Sequence, residues 1–380
     1  MRKTLSGICA ILLLTLAASG CGGTVPAASG SPAIETAAAS PSVASSSAPA
    51  SPDTPAASPE ASAASPDTAA ENAADTPEPS AAEPVDIRIG GLTGPTSMGM
   101  VGVMDAQRNG AAANRYTFTI AGTADELTPK LVQGELDMAA VPANLAAVLY
   151  NNTKGRIRLL AVNTLGVLYL VEKGDSVAQF SDLKGKTLYA TGKGSSPEYA
   201  LRYLLSQNGI DPDKDVAIEW KAEPAEVVAL LKAGKDGIAM LPQPYVTIAG
   251  TQIEGLRTAL DLTKAWDALG NGSRMVTGVL VARADFVQAH PEATAAFLDE
   301  YRASAEFVNA DVAKAAALIE EFGIFKAAVA QKALPACNIT LLDGEAMKAA
   351  MQGYLQVLFE QNPKAVGGVL PGDEFYLGVP

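Results

Sequence analysis

The chain has 380 residues, a formal net charge of −13, one histidine and three cysteines. That acidic balance argues against nucleic acid or an anionic membrane surface as partner, because both need clustered Lys and Arg. With His290 as the one histidine there is little material for a His-based catalytic triad or a His/Cys zinc site, so no catalytic residue, metal or cofactor is expected.

The N-terminus carries the strongest local signal. Arg2 and Lys3 precede an apolar run over residues 8–18, followed by Ala18-Ser19-Gly20-Cys21. Small residues before a cysteine resemble the bacterial lipobox, in which that cysteine is lipidated and becomes the mature N-terminus. The consensus prefers leucine where Ala18 stands. The apolar run is too short to span a bilayer. Residues 1–20 therefore read as a lipoprotein signal peptide and Cys21 as the lipidation site. Loss of Cys9 and lipidation of Cys21 would leave Cys337 alone, with no intramolecular disulfide to make. Residues 21–84 are almost wholly Ala, Ser, Pro, Thr, Asp and Glu and show no apolar periodicity. They are expected to form a disordered tether with a coil span of roughly 40 Å. The implied location is the extracytoplasmic face of the cell membrane.

From Val85 onward strand and helix patterns alternate, which predicts an α/β fold. Residues 85–110 read as a buried strand, a glycine-rich turn at Gly90, Gly91 and Gly94, and a helix capped by Thr96 or Ser97 and ended by Asn109-Gly110. Such a turn presents free backbone N–H groups to a polar ligand. The unit recurs. Ser97 and Ser196 are 99 apart, as are Asn109-Gly110 and Asn208-Gly209. Residues 116–120 match 216–220, and residues 133–142 match 233–242, both at an offset of 100. This order predicts two βαβ lobes whose strand-end loops face each other across a cleft. In the second lobe Ser195 with Glu198, or Ser196 with Pro197, marks a helix start. It is not a nucleotide P-loop: Gly185-Lys186-Thr187 lacks the earlier glycine, its place being taken by Phe180.

Three runs carry a family resemblance. They are Gly134-Glu135-Leu136-Asp137-Met138-Ala139, then Ser181-Asp182-Leu183-Lys184-Gly185-Lys186-Thr187 with Gly194-Ser195, and Ala229-Leu230-Leu231-Lys232-Ala233-Gly234-Lys235-Asp236 with Pro242 and Pro244. Together they resemble the solute-binding proteins of ABC importers for nitrate, sulfonates, taurine and thiamine-pyrimidine precursors, over about residues 85–309. The resemblance implies a type II periplasmic-binding fold, two lobes joined by two crossing segments. It also implies a monomer that captures a solute and hands it to an ABC permease; the two polar helix starts, with Met98, Ala140, Val141 and Leu241 nearby, suggest a small organic solute with an acceptor-rich or anionic end. On this chain lobe 1 would be residues 85–171 plus 275–380, and lobe 2 residues 172–274. Residues 275–281 would cross back, and the tail over 370–376 would wrap the surface.

Solute contacts are expected at four loops: Thr96, Ser97, Met98 and Gly99; Ala140, Pro142, Ala143 and Asn144; Gly194, Ser195 and Ser196; and Pro242, Gln243 and Pro244. Asn163, Thr164 and Thr277 are added from the strand ends and the crossing. Serine and threonine caps ordinarily satisfy only their own helix, methionines at helical spacing ordinarily pack in a core, and Tyr189, Tyr199, Trp220 and Tyr245 read more readily as core than as stacking platforms. Lys193 and Arg274 read as solvated, and His290 as structural. Two other functions fit the same pattern: an enzyme resembling the menaquinone-pathway enzymes of this fold, or an extracytoplasmic ligand sensor.

Overall fold

A computed structural model describes residues 83–234 and 237–378; the expected leader, Cys21 and the tether up to residue 82 lie outside them. In chain order the strands are β1 (Asp86–Leu92), β2 (Arg115–Ala121), β3 (Met138–Pro142), β4 (Ile157–Leu165), β5 (Leu168–Lys173), β6 (Thr187–Thr191), β7 (Ala217–Lys221), β8 (Ile238–Pro242), β9 (Leu256–Asp261), β10 (Val276–Arg283) and β11 (Ile339–Leu342). They form two sheets, β11-β4-β10-β3-β1-β2 and β7-β6-β8-β5-β9.

The two sheets share one plan. β1 lies parallel to β2 and β3, and β6 lies parallel to β7 and β8. An antiparallel strand then flanks each trio, β10 against β3 and β5 against β8. Ile89 pairs with Met138 as Leu188 pairs with Ile238. The central strands β3 and β8 are buried on both faces, as the short apolar runs MAAVP and IAMLP require.

Helices connect the strands. The first lobe holds α1 (Pro95–Met98), α2 (Val101–Arg108), α3 (Ala124–Gln133) and α4 (Ala143–Asn152). The second holds α5 (Ser196–Gln207), α6 (Pro224–Lys232), α7 (Tyr245–Gln252) and α8 (Leu262–Asp267). After β10 come α9 (Ala284–Ala289), α10 (Pro291–Ala310), α11 (Val312–Glu321), α12 (Ala327–Ala333) and α13 (Gly344–Gln361). Among the described residues no helix is long and apolar enough to cross a membrane.

Three local expectations change. The helix after β1 is two pieces, with a break at Gly99 and Met100. Gly99 is pressed against Ile339 and Tyr301, where a Cβ would stand 3.0 Å from Ile339 Cγ2. Gly90 and Gly91 belong to β1 rather than to a turn, and close packing explains them: a Cβ would lie 2.8 Å from Leu136 Cδ1 at Gly90 and 2.4 Å from Ser97 Oγ at Gly91. The tail is no surface wrap. Phe375 is fully buried, Tyr376 bridges Leu159, and the Leu377 N–H donates to the Leu159 carbonyl at 2.9 Å.

The chain passes between the sheets at Gly166 and Val167, so residues 168–171 hydrogen-bond in the second sheet through β5. It returns between α8 and β10. The two passages touch at Gly166, where a Cβ would fall 2.1 Å from Thr263 Oγ1 and 2.4 Å from Met275 Cε. Only glycine allows that approach. One core cluster runs through this joint and includes Val162 and Leu159 from the first lobe, Leu188 and Leu201 from the second, and Tyr354 and Leu358 of α13. Trp266 of α8 meets the Tyr354 ring at 5.4 Å. The lobes are thus packed together on the crossing side and enclose a cleft on the other, where their rims approach at Gly122 and Glu223.

Candidate functional site

On the open side a cleft of about 560 Å³ lies at the carboxyl ends of β1, β3, β6 and β8. Its first-lobe wall is the β1–α1 loop (Leu92 to Thr96), the β2–α3 loop (Gly122 to Asp125), and Val141, Pro142 and Leu145. Facing it are the β6–α5 loop (Thr191 to Ser195, with Pro197), the β7–α6 loop (Lys221 to Pro224), Pro242, Gln243 and Tyr245. Thr164, Val167, Leu168, Thr277 and Gly278 form the floor where the crossings run.

The two walls differ in hydrogen-bonding state. On the first lobe the hydroxyls are already donating. Thr93 Oγ1 donates to the Ala121 carbonyl at 3.2 Å, Thr96 Oγ1 to the Leu92 carbonyl at 3.2 Å, and Thr123 Oγ1 to Glu126 at 3.2 Å. Across the cleft, donors are left over. Thr247 Oγ1 donates to Gln243 Oε1 at 2.9 Å, which fixes the amide and leaves Gln243 Nε2 without a partner among the described residues. The Thr191 and Tyr245 hydroxyls and the Lys193 ammonium likewise have none, nor has the Thr277 hydroxyl of β10 on the floor. Burial raises the Tyr245 phenol pKa above the usual tyrosine value, and the charge of Glu223 adds to the effect, so it stays a donor at neutral pH. Lys221 pairs weakly with Glu219 at 3.3 Å.

The floor holds a second anomaly. Thr164 Oγ1 and both polar atoms of Asn163 are buried without a hydrogen-bond partner. Asn163 is the extra residue where β4 bulges against β10, since Gly278 pairs with Thr164 and Val279 with Val162. Gly278 leaves room for it: a Cβ there would lie 2.9 Å from Asn163 Oδ1 and 2.8 Å from Thr96 Cγ2. An orphaned buried polar group costs about 1–3 kcal/mol, and such groups concentrate at functional sites.

Of the residues nominated from sequence, Thr96, Pro142, Thr164, Gly194, Ser195, Pro242, Gln243 and Thr277 line the cleft together. The others lie behind it. Ser97 is fully buried and donates to the Leu92 carbonyl at 2.7 Å, so neither it nor Thr96 caps a helix. Met98 and Ala140 are core residues of the first lobe, Ala143 is core in the joint, and Gly99 packs on Tyr301. Pro244 follows a cis peptide bond and caps α7 behind Gln243. Asn144 and Ser196 bind each other across the lobes: the Asn144 N–H donates to Ser196 Oγ at 3.1 Å, and Ser196 Oγ donates to Asn144 Oδ1 at 3.2 Å. Asn144 Nδ2 adds bonds to the Ala365 carbonyl at 3.0 Å and the Gly194 carbonyl at 3.4 Å. Both residues are almost wholly buried. Ser195 Oγ donates to the Gly192 carbonyl at 2.8 Å, and Glu198 accepts from the Gly194 N–H at 2.6 Å rather than from Ser195, so neither bond of the expected capping box forms.

Sequence reasoning missed the paired loops at Gly122 to Asp125 and Lys221 to Pro224, and took Tyr245 for core. The signal was present: Thr123 and Glu223 sit 100 apart, each the N-cap of the next helix. The repeat that aligned the strands before them carries these loops as well.

Two α/β lobes with twin crossings and an intervening cleft define a solute-binding fold. The chain belongs to the NMT1-like family, whose model matches residues 121–321, just over half of its length. It is similar in structure to an ABC transporter protein from Parabacteroides distasonis, with 27% identity and a TM-score of 0.64 over 76% of this chain and 98% of that one. It is also similar to the periplasmic aliphatic sulphonate binding protein SsuA from Escherichia coli (18% identity, TM-score 0.61, 75% and 96% covered). The alkanesulfonate-binding protein SsuA from Xanthomonas axonopodis pv. citri, bound to MOPS, gives 17%, 0.59, 77% and 96%. No curated protein sequence matches the chain.

Proposed function

We propose that this protein is an extracytoplasmic solute receptor of an ABC importer, anchored through a lipid on Cys21, that captures a small organic solute and delivers it to a membrane permease. The observation that carries the reading is the asymmetric cleft. Its first-lobe wall offers Thr93, Thr96 and Thr123 hydroxyls already engaged as donors, while the second lobe presents Gln243 Nε2, Thr191, Tyr245 and Lys193 unengaged, with the unengaged Thr277 of β10 on the floor between them. An acceptor-rich or anionic end of the solute therefore sits on the second lobe, and an apolar body packs on Leu92, Pro95, Val141 and Leu145. The volume suits an organic molecule of many heavy atoms rather than a bare inorganic oxyanion. Capture needs no bond-making: two rigid lobes close about the crossings and reopen at the permease.

The test is a thermal-shift screen of the full chain carrying Cys21→Ser against sulfonates, carboxylates, pyrimidines and amino-acid derivatives. A ligand present at 100 times its Kd stabilises the folded state by about 2.7 kcal/mol. Turnover of any hit by the protein refutes the pure capture reading.

A further inference from the structure

Tyr245 has two neighbours of different kinds. It lines the cleft as the first residue of α7. From outside the cleft, Phe325 meets its ring edge-on, with centroids 5.6 Å apart and planes at 82°. Phe325 lies just before α12 and packs on the first-lobe core with Ile324, whereas Tyr245 packs on the second-lobe core around Val228 and Leu241. Their rings join two cores that are otherwise separate clusters.

The position of this contact matters as much as its existence. The far end of α12 is tied to the first crossing: Tyr169 Oη donates to the Ala336 carbonyl at 3.2 Å, and Asn338 Nδ2 donates to the Gly166 carbonyl. Those ties sit at the joint and survive a rotation about it. Phe325 is at the opposite end of α12, a 7-residue helix about 10 Å long. Phe325 thus stands apart from those ties and meets the second lobe through Tyr245, a contact that lobe opening would break. On the mouth itself the lobes also meet at Gly122, where a Cβ would come within 3.0 Å of Glu223 Oε1 and 3.6 Å of Glu126 Oε1. Beside that polar approach, the aromatic pair is an apolar contact between the lobes at the rim of the cleft.

We propose that Phe325 is a positioning residue for the cleft, a closing contact outside the binding surface that holds Tyr245 over the solute and sets how readily the lobes reopen. The proposal rests on the solute-capture reading for its purpose but not for its test. An edge-on aromatic pair contributes about 0.5–1.5 kcal/mol beyond burial, which is a roughly two- to twelvefold bias toward the closed arrangement.

The experiment measures inter-lobe distance without solute. Spin labels go on cysteines placed by Ala229→Cys on α6 and Ala295→Cys on α10, both exposed, in the full chain with Cys9→Ser and Cys21→Ser. Phe325→Ala is expected to raise the ratio of long to short distances about two- to twelvefold. Phe325→Tyr should restore the original distribution. Tyr245→Ala should reproduce the shift, with no further change in the double variant. Should Phe325→Ala fail to fold, Phe325→Leu is read by the same criterion. A lower melting temperature with an unchanged distance distribution overturns the proposal, because a merely structural residue behaves that way. A distance shift in a protein that binds none of the screened solutes overturns the capture reading and leaves the closing contact standing.

Discussion

The substitution Asn144→Ala separates a solute contact from an inter-lobe pin. In the structure Asn144 makes three side-chain hydrogen bonds, to Ser196 Oγ, the Ala365 carbonyl and the Gly194 carbonyl. Alanine keeps the backbone bond from Asn144 N–H to Ser196 Oγ but strips the Ser196 hydroxyl of its acceptor and the Ala365 carbonyl of a donor. Each buried group left unpaired costs about 1–3 kcal/mol, and the third bond is long at 3.4 Å and counts for less. The expected loss is about 3 kcal/mol in the absence of solute, read as a fall in urea midpoint at constant m-value. Ser196→Ala removes the same pair from the other side, so the double variant should lose less than the sum, with a coupling of about 1 kcal/mol or more. A loss under about 0.5 kcal/mol for Asn144→Ala, or strict additivity, refutes the pin. A variant that is stable yet fails to bind solute restores the contact expected from sequence.

Other outcomes follow from the same geometry. Thr164→Val should leave stability unchanged or raise it by about 1 kcal/mol in solute-free protein, because it removes an orphaned hydroxyl while keeping shape; a loss of more than about 1 kcal/mol by thermal melt would show a partner for that oxygen. Gly278→Ala should cost about 1–3 kcal/mol and weaken solute binding, since its methyl meets Thr96 and Asn163 at under 3 Å; unchanged melting and Kd contradict the floor as drawn. Glu172 gives a pH test. Burial pushes its pKa up, but the Ser176 hydroxyl, the Val177 and Ser176 N–H groups and Arg257 together hold it below the ordinary glutamate value. A depressed folded pKa contributes stability that is full above the unfolded value, near 4.5, and disappears as the pH falls through the folded one. Urea midpoints should therefore drop more steeply below pH 4.5 in the parent than in Glu172→Gln, and identical slopes would contradict the assignment.

Much of the architecture was legible in sequence because glycine and proline mark strand ends, and their spacing survives where side chains diverge. The offsets of 99 and 100 translate directly into the equivalent pairings Ile89–Met138 and Leu188–Ile238. The passage at Gly166 was set a few residues late because residues 157–173 form nearly one β-rich run, in which a change of sheet leaves no compositional trace. The site was legible at the level of loops and illegible at the level of atoms. Ser97 and Ser196 look like helix caps in one dimension, yet the first turns back onto the Leu92 carbonyl and the second reaches a residue 52 positions away. Nothing local encodes those choices. Gly90 and Gly91 misled for a related reason: glycine serves equally for a free turn and for a strand that Leu136 and Ser97 crowd, and only the packing decides.

The most direct test of solute capture in the cleft is the Kd of the screen's best solute for the combined variant Gln243→Ala, Thr277→Val and Lys193→Ala, measured by calorimetry against the parent. Removing two neutral donors at about 0.5–1.5 kcal/mol each and one charged donor at about 1.5–3 predicts a Kd at least about 50-fold weaker, with the ligand-free stability lowered only by the loss of the Thr247–Gln243 bond, about 1 kcal/mol. An equal Kd in parent and variant contradicts capture by these donors.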